Sequence, residues 1–235
     1  ANQIQAQLLA RDTQWLAARD DVDPLIQTRL FQGGAIGLQS YQAIFPNNIE
    51  IFVTDRYGGV VATTNRTSDY LQADEAWWQV ADNQGQGAVS IGQPVYDDSS
   101  KASAVTIAVP VYRPGTREVI GVLRSTYRLQ ALADLLLTNR FGATGDSDLL
   151  FAKDQRLRSE GDLVAENPAT AAQLRSIASR TYLAMQLDGE QVLIGAAPVM
   201  SSDAAASPAI GQLNWIVIVD QQSDEALHPL NDAIG

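Results

Sequence analysis

The chain has 235 residues, 46% of them hydrophobic, no cysteine, and 27 acidic side chains against 16 basic ones, for a formal net charge of -11. That apolar content supports one large core or two modest ones and excludes a disordered chain. The negative field repels nucleic-acid phosphates and anionic membrane surfaces with no Lys/Arg block to reverse it, and the lack of cysteine removes thiolate catalysis, cysteine-ligated zinc, iron–sulfur clusters and disulfides.

From Ile4, "IQAQLLARDTQWLAARDDVDPLIQTRL" repeats Leu8, Trp15 and Val22 at seven-residue intervals, with Ile4, Leu25 and Leu30 widening the stripe. This spacing predicts a long amphipathic helix, kinked or restarted at Pro24, too long to pack only on a small domain and suited to a partner. The period changes at "NIEIFVTDRYGGVVATT", which predicts a strand, a turn over Asp55 to Gly59, and a second strand. "GAVSIGQPVYDD", "KASAVTIAVPVYRPG" and "EVIGVLRSTY" supply three more strands, with helical material between the second and third. Leucines at helical spacing in "RLQALADLLLTNRFG" then predict a helix ending at Gly142. The β pattern restarts in "SDLLFAKDQRLRSE", gives way to a helix over "PATAAQLRSIASRTYLAM", and returns as "QVLIGAAPVM" and "LNWIVIVDQ" around a loop, "SSDAAASPAIGQ". "SDEALHPLNDAIG" begins a further helix, so the chain starts and ends inside helical patterns, as expected of a piece cut from a longer protein.

The two halves resemble each other. "TIAVPVYRPGTREVIGVLRS" and "IGAAPVMSSDAAASPAIGQLNWIVIV" both run strand, Ala-x-Pro-Val or Ala-Pro-Val, loop, Gly, strand. Two copies of one small α/β unit, joined by a helix and preceded by a long one, account for this better than a single sheet.

Little in the sequence points to catalysis. The sole histidine, His228, sits near the C-terminus, and no G-x-S-x-G elbow is present. "FQGGAIG" and "GATGDSD" lack the phosphate-loop lysine and the dinucleotide pattern. Asp97 and Asp98, like Asp74 and Glu75, do not follow a calcium-loop spacing, so no metal and no cofactor are expected. Adjacent acids leave a carboxylate-based hydrolase as a distant alternative.

The strongest local signal is "DYLQADEAWWQVA", which holds two of the four tryptophans. On a helix Tyr70, Trp77 and Trp78 cannot share one direction, while Asp74 lies three and four residues from the pair. Each of the three aromatic residues suits either the core or a cavity wall, with Trp78 the better candidate for the wall. Convergent polar groups follow in the strands: Asp97, Tyr112, and Arg124, which must be paired, bind something or face solvent.

At these residues the sequence resembles the double Cache family, the extracytoplasmic ligand-sensing modules of bacterial transmembrane receptors. The likeness runs through the first helix, "IFVTDRYGGVVATT", "YLQADEAWWQVA", "GQPVYDD", "TIAVPVYRPGTREVIGVL", the connecting helix and a reduced second unit. It implies an α+β fold: a long N-terminal helix followed by two tandem PAS-like units, each an antiparallel sheet flanked by helices. The expected divisions are 1–40, the stalk helix; 41–127, the membrane-distal ligand-binding unit; 128–141, the connecting helix; 142–221, the membrane-proximal unit; and 222–235, the exit helix. It further implies small-molecule binding in the distal unit, without catalysis, in a protein whose flanking membrane helices lead to a histidine kinase, cyclic-dinucleotide enzyme or chemotaxis-type domain.

The amino-acid-binding members of that family resemble this chain at Tyr70, Trp77 and Asp97. Where they carry an arginine two residues before the first aromatic of the pair, this chain has Glu75. Their second aromatic, a tyrosine, is Trp78 here, and their aspartate in the last strand of the distal unit is replaced by Thr126. These departures argue against an ordinary α-amino acid. Glu75 and Asp97 with tryptophan faces favour an amine or quaternary cation, over an organic acid gripped by Arg124. The expected ligand-binding set is therefore Tyr70, Asp74, Glu75, Trp77, Trp78, Asp97, Tyr112, Arg124 and Thr126. A weak homodimer through the first helix is expected, no nucleic acid is, and a structural or protein-interaction module remains the main alternative.

Overall fold

Two helices share the seven-residue stripe, α1 (Asn2–Ala17) and α2 (Pro24–Phe31), and a third, α3 (Gly34–Ile44), follows where the stalk helix is expected to run on to residue 40. The fold is that of a computed structural model, which describes residues 2–19, 22–97, 102–177 and 182–234. Pro24 opens α2, where its missing N–H costs nothing, and the Asp23 carboxylate caps the helix by accepting from the Leu25 N–H at 2.8 Å. Gly33, with φ of 53°, turns the chain into α3. Leu8 and Trp15 of the stripe are buried, but Val22 is 74% exposed because α1 has already ended.

The chain divides into two compact units, Ala1–Arg128 and Leu129–Gly235. In the first, an antiparallel sheet runs in the order β2-β1-β6-β5-β3, with β4 also paired to β5. Its strands are β1 (Asn48–Asp55), β2 (Val60–Thr63), β3 (Ser90–Ile91), β4 (Val95–Asp97), β5 (Ala102–Tyr112) and β6 (Val119–Arg128), and α4 (Ala76–Asp82) lies between β2 and β3 in sequence. The expected third strand is thus two short ones, separated around Gly92 and Pro94, where proline cannot donate to a ladder. At the β1–β2 turn the Asp55 carboxylate accepts from the N–H groups of Tyr57 and Gly59 at 2.8 and 3.1 Å. Gly58 has a φ of 86°, and a Cβ there would lie 2.5 Å from the Ala73 backbone nitrogen, so only glycine fits.

The apolar side of α1 and α2 is buried against its own unit. Leu8, Trp15, Ile26 and Leu30 pack with Phe52, Val60 and Tyr70. This corrects the expectation of a stripe too long for its domain. Trp15 is fully buried, and its indole N–H donates to the Thr67 carbonyl at 2.9 Å. Asp12 of α1 accepts from the backbone N–H groups of Tyr70 and Leu71 at 2.8 and 3.0 Å, tying the helix to the segment that leads into α4.

In the second unit, α5 (Gln130–Leu137) precedes β7 (Asp146–Leu150), β8 (Gln155–Leu157) and β9 (Leu163–Ala165). Then come α6 (Pro168–Ile177), β10 (Leu183–Leu187), β11 (Glu190–Pro198), α7 (Ser207–Leu213), β12 (Ile216–Gln222) and α8 (Ser223–Ile234). The sheet order is β10-β11-β12-β7-β8-β9. Leu174 and Ile177 of α6 pack on Leu150, Ile194, Ile216 and Ile218, forming the core of this unit. Of the helix expected over residues 168–185, α6 accounts for Pro168–Ile177, residues 178–181 lie outside the described residues, and Leu183, Met185 and Leu187 alternate as a strand; the expected loop over 201–212 contains α7. Among the described residues no helix is long and apolar enough to cross a membrane.

The internal repeat extends to the hydrogen-bond register. On β5 and β6, Pro110 pairs with Val122, Ala108 with Arg124, and Thr106 with Thr126. On β11 and β12, Pro198 pairs with Ile216, Ala196 with Ile218, and Ile194 with Asp220.

Candidate functional site

Period two brings Glu50, Phe52 and Thr54 of β1 to the same sheet face as Val122, Arg124 and Thr126 of β6. The register pairs them directly, Glu50 with Thr126, Phe52 with Arg124 and Thr54 with Val122. The tryptophan pair of α4 lies over this face.

Trp77 meets Phe52 edge to face, with ring centroids 5.6 Å apart at 79°. The Arg124 guanidinium sits against both rings, 5.4 Å from the Trp77 centroid and 5.3 Å from that of Phe52. Its Nη1 donates to Glu50 Oε1 at 2.9 Å and its Nη2 to Thr106 Oγ1 at 3.3 Å. The Arg124 side chain is 20% exposed, that of Glu50 6%. Two buried polar atoms at this face have no hydrogen-bond partner among the described residues, Arg124 Nε and Thr126 Oγ1. A buried polar atom left so costs about 1–3 kcal/mol, which a ligand oxygen would recover.

Trp78 faces away from Arg124. It is 8% exposed, packs with Ala81, Ala108 and Val122, and donates its indole N–H to Thr54 Oγ1 at 2.8 Å. Its edge bounds a largely apolar cavity of about 330 Å³ with Leu8, Tyr57 and Leu71. Trp77, half-buried, is the member of the pair beside Arg124.

The other residues of the expected set are dispersed. Tyr70 is buried against α1, 6.0 Å from the Trp15 ring, and its hydroxyl accepts from Arg11 Nη1 at 3.2 Å. Asp74 and Glu75 are exposed and precede α4, so Asp74 does not share a helix face with the tryptophans. Tyr112, 42% exposed, ends β5. Asp97 pairs with Ala102 in the backbone register, and its side chain lies outside the described residues, as does Asp98. The structure thus brings together Trp77, Arg124 and Thr126, and adds Glu50, Phe52 and Thr106. The available signal for Glu50 was the alternation in "NIEIFVTD", which sets a carboxylate on the same face as Phe52.

The second unit has a charged cluster at the matching register. Arg156 donates to Asp148, to Glu166 Oε1 at 2.6 Å, and to the Asp188 oxygens at 2.8 and 2.7 Å. Burial opposes the Arg156 charge, but the Asp188, Asp148 and Glu166 carboxylates outweigh it and raise its pKa. Asp220 borders the same cavity, of about 190 Å³. Burial, then the charges of Asp148 and Asp146, push its carboxyl up to about 6.

A family model described as Cache domain matches residues 25–230. Among solved structures, the ligand-binding domain of the Pseudomonas fluorescens chemoreceptor CtaA in complex with L-leucine superposes with a TM-score of 0.57 at 15% identity, covering 96% of this chain and 89% of that one. The Pseudomonas aeruginosa PAO1 chemoreceptor PctC ligand-binding domain, in complex with GABA, gives 0.53 at 14%, covering 94% and 91%. The extracellular domain of rpHK1S-Z16 gives 0.58 at 11%, covering 96% and 89%. These identities speak for the fold alone. No curated protein matches the chain in sequence.

Proposed function

The chain belongs to the Cache domain family, and on that premise we propose that its first unit binds a small carboxylate, held by Arg124 and Thr126 against the side of Trp77. A Cache domain is a sensor module and not a catalyst, and Cache domains are extracytoplasmic parts of membrane receptors, chemoreceptors and histidine kinases among them. On this reading the chain reports a small molecule outside the cytoplasm of a cell whose membrane carries the receptor. Its expected divisions map a membrane-distal binding unit onto residues 41–127.

The observation that carries the ligand class is the pair of buried, unmet polar atoms, Arg124 Nε and Thr126 Oγ1. A carboxylate supplies acceptors to both, and charge-assisted hydrogen bonds are the stronger kind. The amine or quaternary cation favoured on sequence grounds loses support at two points. Glu75 is exposed, and the aromatic surfaces of Trp77 and Phe52 already hold the protein's own guanidinium, beside which a second cation is repelled. The ligands named with CtaA and PctC, L-leucine and GABA, each carry both a carboxylate and an amine, so the choice between the two rests on the groups beside Trp77. Signalling then requires the ligand to bind one arrangement of α4 and the sheet more tightly than another.

The test is titration calorimetry of short carboxylates, amino acids among them, against their amides and against matched amines. Carboxylates bind, amides and amines do not, and Trp77→Ala weakens the carboxylate by roughly tenfold or more, as expected for an aromatic wall worth about 1.4 kcal/mol. Binding of amines alone, or affinity unchanged in Trp77→Ala, sinks the assignment.

A further inference from the structure

The second unit holds a larger cavity than its charged cluster, about 680 Å³, bounded by Lys153, Arg175, Pro198, Met200, Ile210 and Trp215 among others. That volume lies within the range of small-molecule sites, and so does the composition, mostly apolar wall with a few charged groups. The wall is braced: Phe151 and Trp215 pack edge to face at 4.8 Å and 76°.

Arg175 of α6 holds three segments around the space. Its Nη1 donates to the Asn214 carbonyl at 3.1 Å, just after α7, and its Nη2 to the Phe151 carbonyl at 2.6 Å. The same nitrogen lies 3.4 Å from Asp154 Oδ1, on the β7–β8 turn. Lys153 and Asp154 on that turn both adopt left-handed backbone, with φ of 58° and 56°, a cost of order 1 kcal/mol or more for each non-glycine residue. Asp154 is ion-paired with Arg175, and among the described residues no carboxylate pairs with Lys153. Lys153 and Arg175 against Asp154 leave this cavity net positive, within a chain of net charge -11. With Arg175 offset by Asp154, an entering ion meets the Lys153 ammonium, which repels a cation and attracts an anion.

We propose that this cavity is a second small-molecule site, independent of the one in the first unit, for an organic carboxylate with an apolar body. The charge pairs with Lys153, the body lies along Pro198, Ile210 and Trp215, and Met200, 82% exposed, supplies an adaptable side chain at the rim. Gly211 of α7 offers a clean way to fill the space. It lines the cavity, and a Cβ added to it meets no atom within 4 Å.

The experiment is a nuclear magnetic resonance titration of the 235-residue chain with hexanoate and, separately, with hexan-1-ol, reading backbone amide shifts. Hexanoate should move residues 152–154, 198–200 and 210–215. Gly211→Phe should abolish those shifts without lowering the melting temperature, while any shifts at Glu50, Arg124 and Thr126 persist, which separates this site from the first. Lys153→Gln should weaken hexanoate about threefold, the scale of an exposed ion pair, and leave hexan-1-ol unchanged. The site is refuted if hexanoate at its solubility limit moves none of these residues, if Gly211→Phe binds as before, or if the alcohol binds as tightly as the acid.

Discussion

The two sheets place different chemistry on one register. Where the first unit has Arg124 and Thr126 on β6, the second has Ile218 and Asp220 on β12, and across the neighbouring strand Phe52 and Glu50 correspond to Asp148 and Asp146. The second unit brings in its arginine from β8 and surrounds it with Asp148, Glu166 and Asp188. The first gives its arginine one carboxylate and two aromatic rings, and leaves Arg124 Nε and Thr126 Oγ1 unmet. The second face pairs Arg156 with three carboxylates and leaves Arg158 Nε as its one buried unmet atom among the described residues, which suits holding a sheet together. The other keeps hydrogen-bonding capacity in reserve, which suits recognition.

Replacing the arginine of each face measures that contrast. Arg156→Gln should destabilise the second unit most, by about 3–5 kcal/mol, because it strands buried carboxylates; urea unfolding is the measurement. Arg124→Gln should cost less, about 2 kcal/mol, since a single buried carboxylate, Glu50, loses an ionic partner. Its larger consequence should be loss of carboxylate binding. Equal destabilisation by the two substitutions would erase the distinction between a closed and an open face.

The smallest effect has the opposite sign. Asp220 titrates at about 6 in the folded chain against an ordinary 3.8, so between those values the folded state holds more protons than the unfolded one. Stability from this group is present below about pH 4 and is lost as pH rises through about 6. Asp220→Asn should therefore stabilise the chain at pH 7.5, by about 1 kcal/mol once solvent screening at a half-buried site is allowed for. The gain should vanish below about pH 4. Melting curves of both proteins across that range would show whether the cluster is as crowded with negative charge as its geometry indicates.

How much of this was legible in the sequence depends on which force decides each element. The β1–β2 and β5–β6 hairpins are readable because alternation and turn residues are local, and Gly58 records a steric demand that no other residue meets. The split of the first helix is half readable: Pro24 marks one restart, whereas the separation at Gly33 depends on how Leu30 and Ala35 reach the core. The strand β10 is hidden behind α6 because "TYLAM" fits either period, and pairing with β11 decides it. At the site, the aromatic pair and Arg124 announce themselves as unusual residues in their settings. Which of Trp77 and Trp78 stands beside the arginine does not, since adjacent helical residues differ in direction by about 100° and only the docking of α4 selects it. Glu50 carries no such mark, because a carboxylate is unremarkable at a strand start until Arg124 is placed beside it.

The bond between Asp12 and the backbone of residues 70 and 71 gives α1 a mechanical character. Two short charge-assisted contacts stretch little before they break, so α1 and the approach to α4 behave as one stiff lever. A displacement of about an ångström at Leu71 must reappear along the helix or rupture that joint. Severing it with Asp12→Ala would loosen that joint while leaving α1 held to the same segment by the Trp15–Thr67 and Arg11–Tyr70 hydrogen bonds, so the lever would gain play without coming apart.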